Sequence, residues 1–319
     1  MKITYDGKTM GRAFKEVLGE TIPALCEEMP DVIYLDADLM SCIGMSKFAA
    51  AHPERAINCG IAEANMAGVA CGLAASGFKP IMHTFGPFAS RRCFDQIFLS
   101  AGYAKNDITV IGTDPGVTAM YNGGTHMPFE DVALYRTIPT ATVIDITDDV
   151  MLKSVLYQCQ SRPGVKYIRV GRKNYARVFD EGTETPIGKA IPLREGGDAV
   201  VFASGIMVHE AMQAAEQLAA EGISVAVVNV FTVKPLDEKA VFDYAGKTGA
   251  VVVAENHNRI GGLCSAVAEL LAAKLPTPME VVAVNDEYGE VGPQNYLQER
   301  FGLTAAQIVE KTKQVLARK

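Results

Sequence analysis

The sequence predicts an α/β protein of two doubly wound domains with mainly parallel sheets, and three observations carry that expectation. Short β-branched runs recur with helical stretches between them, a polar segment rich in Gly, Pro and charge interrupts the alternation once, and the alternation then resumes. The length of 319 residues fits two such units better than one.

The first set of runs is VIYLD from Val32, KPIMHT from Lys79, ITVIG from Ile108, ATVIDI from Ala141 and KYIRV from Lys166. Near-continuous apolar runs of this length, separated by helices, imply a parallel sheet covered on both faces. The segment Gly171–Gly197 (GRKNYARVFDEGTETPIGK and beyond) reads as a linker. The second set comprises AVVFAS from Ala199, a helix over about Val208–Ala220, SVAVVNV from Ser224, a helix near Glu238, AVVVAE from Ala250, a helix after Gly261 and MEVVAV from Met279. Thr304, with Gln307 three residues on, reads as a capping box that starts the last helix. The expected division is therefore 1–172, a linker at 173–196, and 197–319.

Composition narrows the function. With 49% hydrophobic and 21% charged residues the chain reads as soluble globular material, and a net charge of −7 offers no basic face for nucleic acid or an anionic membrane. Met1–Arg12 lacks the apolar run of a secretory signal, and no stretch is apolar enough for a membrane span. Seven cysteines, an odd number without CxxC pairs, fit reduced and mostly buried thiols in a cytoplasmic protein, not a zinc site.

The chemistry concentrates in Asn58–Phe88, NCGIAEANMAGVACGLAASGFKPIMHTFGPF. After Glu63 the helix is built almost wholly of small residues, which predicts close approach by other backbones and burial. A carboxylate at the start of such a helix loses water, which favours its neutral acid and makes it a candidate proton carrier. The same glutamate also reads as a first-turn residue satisfied by the helix dipole. Phe85 and Phe88 follow a strand, as ligand-stacking or core aromatics. His126 sits in the glycine-bounded loop GGTHMP after strand ITVIG, where ligands bind in parallel sheets, although a surface histidine fits there too. His83, inside KPIMHT, either lines the cavity or is a satisfied core histidine. His52 and His209 read as solvated.

These residues carry a resemblance. GIAEANMAGVACGLAASGFKP followed by TFGPFASRRCFDQI is similar to the pyrimidine-binding domain of transketolases, and the likeness continues through GGTHMPFEDVALYRTIP, VKYIRVGRKN, VNVFTVKPLD, VVVAENHNRIGGLCSAVAEL and FGLTAAQIV. It implies a thiamine diphosphate-binding pyrimidine domain plus a transketolase C-terminal domain, and a transferase moving a two-carbon ketol unit from a ketose to an aldose. In such enzymes a glutamate, here Glu63, hydrogen-bonds N1′ of the aminopyrimidine so that the cofactor's own imino nitrogen can deprotonate C2. General acid–base help of this kind is worth about 10² to 10⁴ in rate. Phe85 and Phe88 match the aromatics beside that ring, His126 matches the histidine that contacts donor hydroxyls, and Arg172 matches a phosphate-binding arginine. Arg91 stands at a further cofactor-side position whose role stays open. The ENHNRIGG run resembles the family's signature near the subunit interface, which makes His257 structural.

Several positions depart from the pattern. Asn122 stands where an aspartate commonly reads sugar stereochemistry, Asp114 where a phosphate-contacting histidine is common, and Gly11 where an arginine binds phosphate, with Arg12 adjacent as a substitute. The donor and acceptor are thus expected to differ from ordinary pentose phosphates while remaining anionic. The family holds Mg²⁺ and the diphosphate with a GDG motif, absent here. The resemblance therefore implies an N-terminal transketolase subunit as partner, supplying the Mg²⁺ ligands in an A2B2 heterotetramer. Competing readings are the β-subunit of a 2-oxo acid dehydrogenase, a deoxyxylulose phosphate synthase-like enzyme and a non-catalytic partner subunit. The THMP loop and Arg172 argue against the first, single long chains against the second, and retention of Glu63, Phe85, Phe88 and His126 against the third.

Overall fold

A computed structural model describes residues 2–319. The first half runs through α1 (Phe14–Glu28), β1 (Val32–Asp36), α2 (Ser46–Ala51), β2 (Ala56–Asn58), α3 (Glu63–Ala75), β3 (Lys79–Phe85), α4 (Gly86–Ala89), α5 (Phe94–Gln96), β4 (Ile108–Thr113), α6 (Asp131–Arg136), β5 (Thr142–Asp145), α7 (Asp149–Cys159) and β6 (Val165–Val170). The second contributes β7 (Ile191–Arg194), β8 (Ala199–Ala203), α8 (Met207–Ala220), β9 (Val225–Asn229), β10 (Thr232–Lys234), α9 (Glu238–Thr248), β11 (Val251–Asn258), α10 (Leu263–Lys274), β12 (Met279–Val284), α11 (Gln294–Arg300) and α12 (Ala305–Leu316).

β1, β4, β5 and β6 are buried at every position, as are β8 and β9. Helices cover both faces of each sheet, which is why these strands show no polar alternation. The first sheet has the order β10-β5-β6-β4-β3-β1-β2 and the second β12-β11-β8-β9-β7. All neighbours are parallel except the edge pairs β10/β5 and β7/β9. The carboxyl ends of β1, β3, β4 and β6 thus open along one edge of the first sheet.

Four features differ from the sequence expectation. The first is β10: it follows β9 of the second half yet pairs with β5 of the first sheet, through Thr232 and Ile144. A three-residue strand whose partner is almost ninety positions away has no periodic signal of its own. In the second, the polar segment after Gly171 is docked against the first half: Ile3 bridges Phe179, Met10 bridges Ala176, and β7 within it joins the second sheet. The third is α3, whose Met66, Ala67, Ala70 and Cys71 are buried while Asn65, Gly68 and Gly72 are exposed. The expectation of a wholly buried helix is therefore corrected within a single chain. Finally, Thr304 caps α12 by accepting the Gln307 N–H at 3.3 Å, but the Gln307 side chain donates forward to Glu310 at 3.2 Å instead of closing the box.

The two halves meet across a buried polar seam. Arg169 of β6 is 1% exposed, and its Nε donates to Asp131 Oδ2 at 2.8 Å and its Nη2 to the Asn256 carbonyl at 2.6 Å. Asp145, on the neighbouring strand, faces the same guanidinium at 3.5 Å and accepts the Ser204 hydroxyl at 2.8 Å. Tyr167 donates to Asp131 at 2.8 Å and stacks on Tyr135 with ring centroids 3.9 Å apart. Burial opposes ionisation of Asp131, but Arg169 and His257 hold its carboxyl below the usual range. His257 is fully buried beside this cluster, with its Nδ1 2.7 Å from the Asn258 carbonyl oxygen. It serves a seam inside the chain.

Candidate active site

Two turns of chain at the carboxyl edge build the site. β3 ends on Phe85, and the short α4 that follows brings Phe88 alongside, 6.3 Å between ring centroids. His126, in the loop after β4, packs edge-on against both rings at 5.9 and 5.0 Å. Its Nδ1 lies 2.9 Å from the Thr125 hydroxyl. Glu63 opens α3 and is 2% exposed. Its Oε1 accepts from Arg92 Nη1 at 2.7 Å, whereas its Oε2 is buried without a partner. Arg92 also lies over the Phe88 ring at 3.8 Å, so one guanidinium joins the acid to the aromatic cluster. Cys93 is buried next to this acid; burial first, and the Glu63 charge second, push its thiol up to about 12, which keeps it from acting as a nucleophile.

On the other side of Phe85 lies a cleft of about 620 Å³ whose walls include Lys15, Asp114, Asn122, Arg172 and Lys173. Arg172 follows β6, lies over Phe85 at 4.9 Å, and directs Nε and Nη2 to Asp114 Oδ2 at 2.7 and 2.6 Å. Asp114 is buried at φ 59, just after β4. Burial raises its carboxyl above the ordinary value, with Arg172 and then His83 pulling the other way. Beneath it His83 is fully buried, with Nδ1 2.9 Å from Asp36 Oδ2 and Nε2 3.2 Å from the Thr113 hydroxyl. Tyr34 donates to the same Asp36 oxygen at 2.5 Å. His83 is thus a satisfied core histidine beneath the cleft.

The second half braces this edge. Asn256 of β11 accepts the Val117 N–H at 3.0 Å and donates to the Pro115 carbonyl at 3.0 Å, holding the loop after Asp114. Gly116 has φ +51, and a Cβ there would collide with the Asn256 side chain. Arg91 ties the His126 loop down, through Glu130 at 2.9 Å and the Thr125 carbonyl at 3.2 Å.

The structure gathers Glu63, Phe85, Phe88 and His126 in one cluster and Asp114, Asn122 and Arg172 in the adjoining cleft. The structure departs from the sequence expectation at three further points. Arg12 does not turn toward the cleft; it pairs with Glu20, Nη1 to Oε2 at 2.9 Å, in a separate hollow beside α7. The neighbouring Gly11 is required because a Cβ would meet Asp149 Oδ1. Tyr5 lies 2.9 Å from His209 Nδ1, so that ring is half-buried and partnered, while His52 is exposed as expected. Arg92 carried no signal in the sequence: it lies in the turn between α4 and α5, and only the fold brings it over Phe88 and onto Glu63. Asn256 and Asp36 carried no local signal, since each acts on a segment distant in sequence.

Two doubly wound domains sharing one polar seam, with reactive side chains at the carboxyl edge of the first sheet, are the plan of an α/β enzyme that binds ligands at its strand ends. The family model of the transketolase pyrimidine-binding domain matches residues 10–177, and that of the transketolase C-terminal domain matches residues 188–308. The chain belongs to the transketolase family, a family of transferases. It is 50% identical over 90% of its length to the 6-deoxy-6-sulfo-D-fructose transketolase subunit SqwH of Clostridium sp. (strain MSTE9), covering 89% of that protein. Transketolase-like protein 2 of Mus musculus is 32% identical over 94% of this chain, which spans 48% of that longer protein. A solved split gene transketolase, described as an inactive beta4 tetramer, superposes with a TM-score of 0.89 at 39% identity, covering 96% of this chain and 99% of the other. Among the described residues no helix is long and apolar enough to cross a membrane.

Proposed function

We propose that this chain is one subunit of a thiamine diphosphate-dependent transketolase that moves a two-carbon ketol unit from an anionic ketose to an aldose. The observation that carries this reading is the buried, unpartnered Oε2 of Glu63 next to the Phe85–Phe88–His126 cluster. An orphaned buried oxygen is costly and calls for a ligand that satisfies it. An aminopyrimidine ring nitrogen fits, with the two phenylalanines offering apolar faces for the ring. When bound, thiamine diphosphate supplies the C2 carbanion chemistry that the side chains of this chain lack.

Each residue then has a defined task. Glu63 holds a proton at the pyrimidine N1′, and Phe85 and Phe88 orient the ring and keep water from it. His126 hydrogen-bonds the ketol hydroxyls, and Arg172, with Asn122 and Asp114, receives the far, anionic end. In the division 1–172, 173–196 and 197–319, the first domain carries this machinery and the second braces it through Asn256.

The diphosphate and Mg²⁺ are assigned to an N-terminal subunit, in an A2B2 heterotetramer. This is supported by the matched domains, by the half-length coverage of the mouse relative and by the split-gene neighbour. The exposed Ile61 (74%) and the open Gly68–Gly72 face of α3 flank Glu63 and offer that partner a surface. By similarity to SqwH, 6-deoxy-6-sulfo-D-fructose is the donor to test first. The chain, its partner, thiamine diphosphate and Mg²⁺ together should transfer the ketol unit to an aldose, and the chain alone should not. Transfer by the isolated chain would overturn the split-subunit assignment.

A further inference from the structure

We infer that Asp114 sets the charge of the anionic tail that the cleft accepts, favouring a monoanionic sulfonate over a dianionic phosphate. The inference rests on the proposed reading of this cleft as the ketose site. Its basis is the arrangement around one guanidinium. Arg172 spends Nε and Nη2 on a single carboxylate oxygen, Asp114 Oδ2, at 2.7 and 2.6 Å. Only part of its donor fork is left for a substrate, and its positive charge is offset by a neighbour with a 6% exposed side chain.

The backbone that presents this carboxylate is held in place. Asp114 sits in the left-handed region at φ 59, its N–H donates to the Val170 carbonyl at 3.1 Å, and Asn256 pins the following loop. Beneath it the floor is closed by hydrogen bonds. His83, which faces Asp114 from β3, is committed to Asp36 at 2.9 Å, and Asp36 brings a further carboxylate from β1. The other charged side chains lining the cleft are Lys15 and Glu16 of α1 and Lys173 beside Arg172, all exposed. Exposed charges of this kind are screened by water, so the buried Asp114 carboxylate is the charge that a tail on Arg172 meets at short range. A tail bearing one charge can share Arg172 with Asp114. A second charge on the tail must sit close to a buried like charge, where water screens poorly.

The chemistry of the two tails separates them further. A sulfonate stays monoanionic throughout the working range, whereas a phosphate monoester loses its second proton near pH 6, at about pKa 6. Selection by Asp114 should therefore weaken as phosphate becomes a monoanion.

The test uses the complex of this chain with its partner, thiamine diphosphate and Mg²⁺. kcat and KM are measured from pH 5.5 to 8 for 6-deoxy-6-sulfo-D-fructose, D-fructose 6-phosphate and neutral D-fructose. At pH 7.5 the wild type should prefer the sulfonate over the phosphate by about 10- to 100-fold in kcat/KM, carried by KM, and the preference should narrow below about pH 6. Asp114→Asn is isosteric, neutral and tolerated at positive φ, so it should cut the preference at least about tenfold and flatten its pH dependence. A purely structural role would lower activity on all three sugars and leave the ratio unchanged, which would overturn the inference. The wild-type pH profile tests it without any variant, because a ratio constant across pH 6 overturns it equally. Turnover of none of the three sugars removes the ketose reading and this inference with it; turnover with an unchanged ratio removes the inference alone.

Discussion

Glu63 and Arg172 occupy the two ends of one site, and their replacements should fail differently. Glu63→Gln preserves the side chain's shape but cannot carry the acidic proton, so hydrogen–deuterium exchange at C2 of the cofactor in the assembled complex should slow by about 10² to 10⁴. Thermal unfolding should scarcely change, and an unaltered exchange rate would take Glu63 out of the chemistry. Arg172→Ala should lower kcat/KM for an anionic ketose by about 10- to 100-fold while sparing a neutral one, because a charge-assisted hydrogen bond contributes about 1.5 to 3 kcal/mol. His126→Ala should slow both sugars alike, since ketol hydroxyls are common to them. Steady-state kinetics on the matched pair separate these outcomes.

Among the elements, α7 shows how one cap serves two purposes. Asp148 accepts the Met151 N–H at 2.9 Å, which caps the helix, and its second oxygen accepts the Val178 and Phe179 N–H groups at 2.9 and 2.8 Å, which docks the segment after β6. Asp148→Ala should therefore lower stability by about 2 kcal/mol or more, through the lost cap and two stranded buried donors. Burial pushes this carboxyl up to about 6, above the ordinary 3.8. The folded protein then binds the proton more tightly than the unfolded chain, so Asp148 contributes more stability as pH falls from about 6 toward 4. Chemical unfolding at pH 7.5 and pH 5 should show the Asp148→Ala loss widening at the lower pH.

The whole molecule depends on the seam. Arg169 lies between Asp131 and Asp145 and reaches the carbonyl of Asn256, so it links the sheets and, through β11, the loop that holds the cleft. Removing one member of a buried ionic cluster strands the others, so Arg169→Met should destabilise the chain by about 3 to 5 kcal/mol in urea unfolding. A loss under 1 kcal/mol would mean that the two halves hold together without it.

What the sequence determined alone follows from local and periodic chemistry. Buried parallel strands announce themselves as β-branched runs, Phe85 and the His126 loop follow such strands where sheets bind ligands, and Glu63 opens a helix of small residues. The resemblance added Arg172, Asp114 and Asn122 and gave Glu63 and His126 their roles. Tertiary structure decided the pairings: Arg92 with Glu63, Asp114 with Arg172, Arg12 turned away to Glu20, and Asn256 clasping Pro115 and Val117. Most of these contacts join side chains that the fold carries together from distant positions. Their strength depends on burial and donor geometry, and neither is written in the spacing of residues along the chain.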